Sequence, residues 1–108
     1  MATGNIIAEG NLDRAKIIGP IFFNPASVAA ATTSEQSVTV PGVLPGDTVF
    51  CMKVTHDTGL GVVNCRSSLV SPNTVLITFA NVTASPIDAA GQNFFFLVVR
   101  TDATLTAF

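Results

Sequence analysis

The sequence predicts an all-β domain, an antiparallel β-sandwich or jelly-roll-like barrel that carries an extended N-terminal arm. Short segments rich in β-branched and aromatic residues recur, separated by turn signals at intervals of about 8–12 residues. The sustained i, i+3, i+4 periodicity of an amphipathic helix is absent. A chain of 108 residues has the size of one domain, and we expect residues 1–16 to form the arm and residues 17–108 the sandwich.

The first strand signals lie in the N-terminal half. Ile17–Phe23 is apolar but is interrupted by Gly19-Pro20, which predicts an edge or bulged strand because proline cannot donate to a sheet ladder. Gln36–Val40 alternates, and this pattern places Val38 and Val40 on one face.

Two Pro-Gly pairs, Pro41-Gly42 and Pro45-Gly46, then predict consecutive tight turns. Proline presets φ for such a turn and glycine tolerates the positive φ that follows. Asp47–Thr55 is the next predicted strand, with one face made of Val49, Cys51 and Lys53 and the other of Phe50, Met52 and Val54.

Two further strands and a turn are predicted in the second half. Leu60–Val70 is a predicted strand with a bulge at Gly61, and Ser71-Pro72-Asn73 is the turn that ends it. Asn73–Asn81 shows the clearest alternation in the chain. The apolar face of that strand consists of Val75, Ile77 and Phe79.

The last predicted strand, Asn93–Thr101, is apolar on both faces. Its faces are Phe95, Leu97 and Val99 on one side, and Phe94, Phe96 and Val98 on the other. A strand with one buried face alternates with polar residues, so the second face is expected to meet a partner. We assign Phe94, Phe96 and Val98 to a subunit interface. The alternative is a strand enclosed between two layers of one domain.

Charge is scarce in this chain. Apolar residues make up 48% and charged residues 11%, against about 25% charged residues in an average soluble domain. We therefore expect another copy or another protein to cover much of the surface. The net charge is −2 without a basic cluster, which argues against nucleic-acid binding because phosphate recognition needs a dense stripe of Lys and Arg.

No signal peptide or membrane segment is predicted. The N-terminus lacks a basic start followed by an apolar region, and no run approaches the roughly 20 apolar residues of a membrane helix. Cys51 and Cys65 are expected to be two buried free thiols in a reducing compartment, and a disulfide between neighbouring strands is the alternative. Two Cys and one His do not supply the four ligands of a zinc site.

One triplet, Asp57-Thr58-Gly59, matches the catalytic motif of aspartic proteases of the retropepsin type. Thr55-His56 precedes it and Leu60-Gly61 follows it, in place of that family's usual neighbours, and too little chain remains for a flap. We therefore predict a hairpin loop in which Asp57 caps a turn and Gly59 is left-handed. His56 is predicted to be a solvated loop residue, and no catalytic, cofactor or metal residue is assigned.

Three segments together resemble a known class of protein. These are Val38–Val49 with its two Pro-Gly pairs, Gly59–Arg66, and Ser71–Asn81, which reads S-P-N-T-V-L-I-T-F-A-N, with Phe94–Arg100 as a final strand. Over about residues 36–101 the chain resembles small β-rich structural proteins of tailed bacteriophages, in particular head decoration (cement) proteins.

The resemblance implies a homotrimer on the outer capsid that clamps neighbouring copies of the major capsid protein, with no enzymatic activity and no cofactor. It places the protein on the virion after synthesis in the host cytoplasm. We expect the N-terminal arm to make the capsid contact. The residues assigned to that contact are Ile6, Ile7, Leu12, Arg14 and Lys16.

A phage tail or fibre adhesin module that binds a host surface is the main alternative. The chain contains no Trp and no Tyr, the side chains that sugar-binding platforms favour, and this weakens the adhesin interpretation. The retropepsin-like protease is the second alternative.

Overall fold

Six β-strands form the fold in a computed structural model, which describes residues 12–53 and 58–101. The strands are β1 (Leu12–Phe23), β2 (Thr32–Thr39), β3 (Thr48–Lys53), β4 (Leu60–Ser67), β5 (Thr74–Asn81) and β6 (Gln92–Thr101). No helix occurs within these two ranges. The predicted all-β class is therefore confirmed.

The strands form two antiparallel three-stranded sheets that pack face to face as a sandwich. The first sheet has the order β1-β6-β3 and the second sheet has the order β2-β5-β4. Of the strands that follow one another in the chain, only β4 and β5 are paired as neighbours. The other connections cross from one sheet to the other, so the two layers are joined repeatedly by the chain.

The core lies between the sheets, on the inner faces of the two central strands. Val75, Ile77 and Phe79 of β5 are fully buried, which confirms the alternation predicted for that segment. They pack with Phe94 and Phe96 of β6, whose rings stack at 6.2 Å between centroids. Burying a side chain of this size contributes about 1.5–3 kcal/mol, so these residues are the main source of stability.

The two Pro-Gly turns occur as predicted. The amide of Val43 donates to the carbonyl of Val40, and the amide of Asp47 donates to the carbonyl of Leu44. Gly42 and Gly46 have φ of 99° and 94°, the values that the third position of such turns requires. These turns bring the chain from the end of β2 in the second sheet to β3 in the first.

The boundary predicted for the N-terminal arm was wrong. Residues 12–16 are the first part of β1, in register with β6 from the pair Leu12 with Thr101 onward. The prediction began the strand at Ile17 because the charged and polar residues before it do not look like a sheet. A strand at the edge of a sheet accepts such residues, because one side of it faces water.

Bulges were predicted at two positions, and one was correct. β1 is an edge strand whose register shifts between Ile18 and Ile21, which flank Gly19-Pro20 as expected. In β4 the shift lies between Val62 and Asn64 instead of at Gly61. Glycine alone is therefore a weak indicator of a bulge, since the extra residue here is a valine.

A buried amide closes one end of the sandwich. Asn81 occupies the inward position of β5 after Phe79 and is almost fully buried. Its Nδ2 donates to the carbonyls of Val28 and Ser85 at 3.0 and 2.8 Å, and its Oδ1 accepts from the amide and the hydroxyl of Thr83. The side chain thus joins β5 to the segment before β2 and to the segment before β6.

Candidate interaction surface

The residues assigned to a subunit interface lie inside the domain. Phe94, Phe96 and Val98 are buried in the single chain, between the first sheet and the second. Phe23 of β1 meets Phe94 edge to face, with 5.9 Å between ring centroids. The assignment was therefore wrong for these side chains: the second sheet covers this face of β6, as in the alternative of a strand between two layers.

The opposite face of β6 lies on the outside of the sandwich and is also apolar. The backbone register places Ile17 of β1 and Phe50 of β3 on either side of Leu97. Ile17 and Phe50 expose 58% and 52% of their surface, and Phe22 at the far end of β1 exposes 69%. We call this surface the outer apolar face. It consists of Ile17, Phe22, Phe50, Phe95, Leu97 and Val99.

The central residues of the outer apolar face are held in place by the backbone beneath them. The ring of Phe95 lies so close over Gly19 that a Cβ at this glycine would be 2.6 Å from the ring. The chain at Gly91 approaches the ring of Phe22 in the same way. The two glycines therefore leave room for the rings of Phe95 and Phe22.

The outer face of the second sheet has the opposite character. Its cross-strand rows are Glu35 with Thr78 and Asn64, and Ser37 with Leu76 and Arg66. Arg66 forms an ion pair with Glu35, with 3.1 Å between Nε and Oε2. The sandwich therefore exposes one sheet that is suited to water and one that is not.

Sequence reasoning identified the correct strand but missed Ile17, Phe22 and Phe50. One signal was available: Phe50 and Met52 form the second apolar face of β3, as Phe95 and Leu97 do on β6. When two strands are each apolar on both faces, the shared pattern indicates that they are neighbours in one sheet and that the outer side of this sheet is apolar.

The structure describes only part of the residues assigned to capsid contact. Ile6 and Ile7 lie outside the described residues. Leu12 and Arg14 belong to β1, and their side chains are outside what the structure describes. Lys16 is exposed and lines a cleft of about 180 Å³ together with Arg100, whose guanidinium is bonded to Asp47 and to the carbonyl of Gly42.

The triplet that resembles a protease motif is only partly described. His56 and Asp57 lie in the undescribed residues 54–57, so the structure says nothing of their geometry. Gly59 has φ of 92°, which confirms the predicted left-handed conformation. A Cβ at this position would collide with the side chain of Thr83, so glycine is also required for space.

Cys51 and Cys65 come together at the open edge of the sandwich. They face inward from β3 and β4, the edge strands of the two sheets, and line one cleft of about 390 Å³. Both are free thiols. Burial raises the pKa of Cys51, and burial together with the neighbouring Cys51 raises the pKa of Cys65 to about 12. The thiols are therefore protonated at neutral pH and are poor nucleophiles.

The described residues contain no group of three or more His, Cys, Asp or Glu side chains that is arranged to hold a metal ion. Within the same ranges, no helix is long and apolar enough to cross a membrane. Comparison of the chain with protein-family models, with curated proteins and with solved structures found no match. The outer apolar face is therefore the feature of this structure that calls for a functional explanation.

Proposed function

We propose that the chain is a structural protein of a bacteriophage virion, which binds the outside of the capsid as a homotrimer and stabilises it. One observation carries this proposal: the sandwich has a polar outer face on the second sheet and an apolar outer face on the first. A protein that works by assembly needs a permanently apolar contact surface. The resemblance of residues 36–101 to head decoration proteins supplies the setting.

Such a protein would act by mass action. A subunit that binds the assembled lattice, and not its separate parts, shifts the equilibrium toward the lattice. Three linked copies also bind more tightly than one, because the second and third contacts form at a high effective concentration. The partner would be the major capsid protein, and the protein would reach the capsid surface after synthesis in the host cytoplasm.

The N-terminal residues are proposed to contact the capsid, through the assigned residues Ile6, Ile7, Leu12, Arg14 and Lys16. Because β1 begins at Leu12, a deletion that tests this contact must stop before that residue. Removing residues 1–16 would also remove the first part of β1, and a loss of binding would then have two explanations. Removing residues 1–11 leaves every described strand complete.

The test is made on particles of the phage that encodes the chain. Purified heads should contain the protein in a fixed ratio to the major capsid protein. Heads that lack it should release DNA at a lower temperature and recover when purified protein is added. The chain without residues 1–11 should keep its circular dichroism spectrum and fail to bind these heads.

Two results would reject the proposal. Heads without a trace of the protein would reject a capsid role. A label that marks only tails or fibres would select the adhesin alternative. If the shortened chain binds heads as well as the full chain does, the contact through Ile6 and Ile7 is wrong while the decoration role remains.

A further inference from the structure

Ile17, Phe22 and Phe50 of the outer apolar face are each more than half exposed in the single chain. We infer that this face is the contact between copies of the chain, with the row Ile17–Leu97–Phe50 at its centre. The inference rests on the proposed function for its homo-oligomer, and it takes the place of an interface at Phe94, Phe96 and Val98. The experiment is arranged so that the two proposals fail separately.

The geometry of the row supports a contact between flat surfaces. Leu97 is on the central strand of the first sheet, and its Cα partners are Ile17 on one side and Phe50 on the other. Side chains that are directly opposite on neighbouring strands lie about 4.5–5.5 Å apart. The three therefore form a continuous apolar ridge about 10 Å long across the sheet.

The electrostatic character of the face favours a second copy over a partner of different charge. The central row of this face, Ile17, Leu97 and Phe50, is uncharged. The register places Lys53 of β3 opposite Phe95 at one end of the face. The other outer face has Glu35 and Arg66. A neutral apolar surface gains nothing from a charged partner, which would lose its hydration on contact. Another copy supplies a surface that is equally neutral and is made at the same time and place.

The size of the face fits this partner. Ile17, Phe22 and Phe50 each expose more than half of their surface. With areas of about 150–250 Å² for an aromatic side chain, the whole face offers on the order of 400 Å² of apolar surface. A standard interface buries about 800 Å² per partner, of which rather more than half is apolar. The face therefore supplies most of the apolar area that one partner contributes.

The two sides of the row differ, and this difference bears on the number of copies. If the face meets the same face of one other copy, a twofold pair results. If the Ile17 side of one copy meets the Phe50 side of the next, the contact is heterologous, and it forms a ring where the rotation between copies closes and an open filament where it does not. A ring of three would agree with the homotrimer of the proposed function.

The experiment measures the mass of the purified full-length chain by size-exclusion chromatography with light scattering, at concentrations from about 1 to about 100 μM. The variants Phe50→Lys and Ile17→Glu each place a charge on an exposed edge of the row. Val82→Lys is the control, because Val82 is an exposed apolar residue (79%) directly after β5 in the second sheet and does not line the cleft that Phe50 borders. Circular dichroism melts establish that each variant is folded.

We expect the unaltered chain and Val82→Lys to have the mass of two or three chains, and the two face variants to have the mass of one chain while still melting cooperatively. Because association stabilises the folded state, the melting temperature of the unaltered chain should also rise with concentration. A chain that stays monomeric at about 100 μM overturns the inference, and so does a face variant that remains oligomeric. If a face variant does not fold, Phe50→Ser and Ile17→Thr replace it, with a weaker shift toward monomer.

The outcomes also separate this inference from the proposed function. If the chain is monomeric but is present on phage heads, the capsid role stands and the outer apolar face is not a contact between copies. If the chain forms an oligomer that depends on Phe50 but is absent from heads, the contact between copies stands and the capsid role is wrong.

Discussion

Arg100 holds the buried carboxylate of Asp47 at two points, with Nε 2.8 Å from Oδ1 and a terminal guanidinium nitrogen 2.7 Å from Oδ2. The same carboxylate accepts a bond from the amide of Leu44. The pair therefore ties the end of β6 to the second Pro-Gly turn. Because that turn leads into β3, the ion pair holds β6 and β3 together where β6 ends and β3 begins. Both strands carry residues of the outer apolar face.

Replacing Asp47 with Ala is expected to lower the free energy of unfolding by about 3 kcal/mol. The change removes an acceptor of the Arg100 guanidinium and of the Leu44 amide, and breaking a buried pair from one side typically costs about 3–5 kcal/mol. The partial exposure of Arg100 places the value at the lower end. Since the chain lacks Trp and Tyr, urea unfolding is followed by circular dichroism.

The exposed pair of Glu35 and Arg66 provides the control. Both side chains are about 40% exposed, and exposed pairs contribute about 0–1 kcal/mol. Glu35→Ala should therefore cost less than about 1 kcal/mol. Equal losses for Glu35→Ala and Asp47→Ala would mean that burial does not distinguish the two pairs.

Replacing Asn81 with Asp is expected to destabilise the domain by about 2–4 kcal/mol although the shape of the side chain is kept. A carboxylate cannot donate to the carbonyls of Val28 and Ser85, which accept from Nδ2 in the native chain. It also places a buried negative charge against two carbonyl oxygens. The measurement is the urea midpoint near neutral pH.

Asn64→Asp is the matched control, because Asn64 is an exposed residue on the outer face of the second sheet. Surface changes of this kind are usually within about 0.5 kcal/mol. If Asn81→Asp is as mild as Asn64→Asp, the hydrogen bonds of Asn81 do not support the fold as we describe.

The alternation of residues along a strand was sufficient to predict the buried face of β5 but not that of β6. In β5, Thr74 and Thr78 on the outer face alternate with the buried Val75, Ile77 and Phe79, and this periodicity separated inside from outside although Leu76 on the outer face is apolar. In β6 both faces are apolar, and the choice between Phe94 and Phe95 depends on which side the second sheet covers. That choice is made by tertiary packing, which a strand sequence does not contain.

Contacts between distant residues were also beyond the sequence. Asp47 and Arg100 are 53 positions apart, as are Asn81 and Val28. Nothing in either segment marks these side chains as partners. By contrast, the turns at Gly42 and Gly46 were predictable, because proline and glycine restrict their own backbone whatever surrounds them.

Three glycine-to-alanine changes should separate a site where a close contact adds to a positive φ, Gly19 with φ of 157°, from a site where the positive φ acts alone, Gly46. At Gly19 the new Cβ would lie 2.6 Å from the Phe95 ring and 2.9 Å from the carbonyl oxygen of Phe94. The backbone oxygen cannot move aside cheaply, so we expect a loss of about 2 kcal/mol or more. At Gly46 the space is open but φ is 94°, and the expected loss is about 1 kcal/mol.

Gly61 is the control for both effects. It lies within β4, its φ is not positive, and a methyl group added there would have no neighbour within 4 Å. Gly61→Ala should therefore be neutral or should stabilise the chain by about 0.5 kcal/mol, because alanine restricts the unfolded state. A Gly19→Ala variant whose urea midpoint is as high as that of Gly46→Ala would contradict the close contact between Gly19 and Phe95, and a Gly46→Ala variant as stable as Gly61→Ala would contradict the cost of the positive φ.

The thiols predict a dependence of stability on alkaline pH. The ordinary pKa of a cysteine is about 8.5, and the pKa of Cys65 in the folded chain is raised to about 12, mainly by burial and also by Cys51. Between these values the unfolded chain has lost the proton of Cys65 while the folded chain keeps it. Stability therefore falls as pH rises from about 9, because the folded state then binds more protons than the unfolded state.

The measurement compares the urea midpoint of the native chain with that of Cys65→Ala from about pH 8 to about pH 10.5, under reducing conditions. The variant lacks this titration and otherwise has the same titratable groups, so the stability advantage of the native chain should shrink as pH rises. Iodoacetamide at about pH 8.5 should modify Cys65 much more slowly in the folded chain than in urea, because the thiolate is the reactive form. A pH-independent difference between the two chains, together with equally fast alkylation in both states, would show that Cys65 is not shielded by the cleft it shares with Cys51.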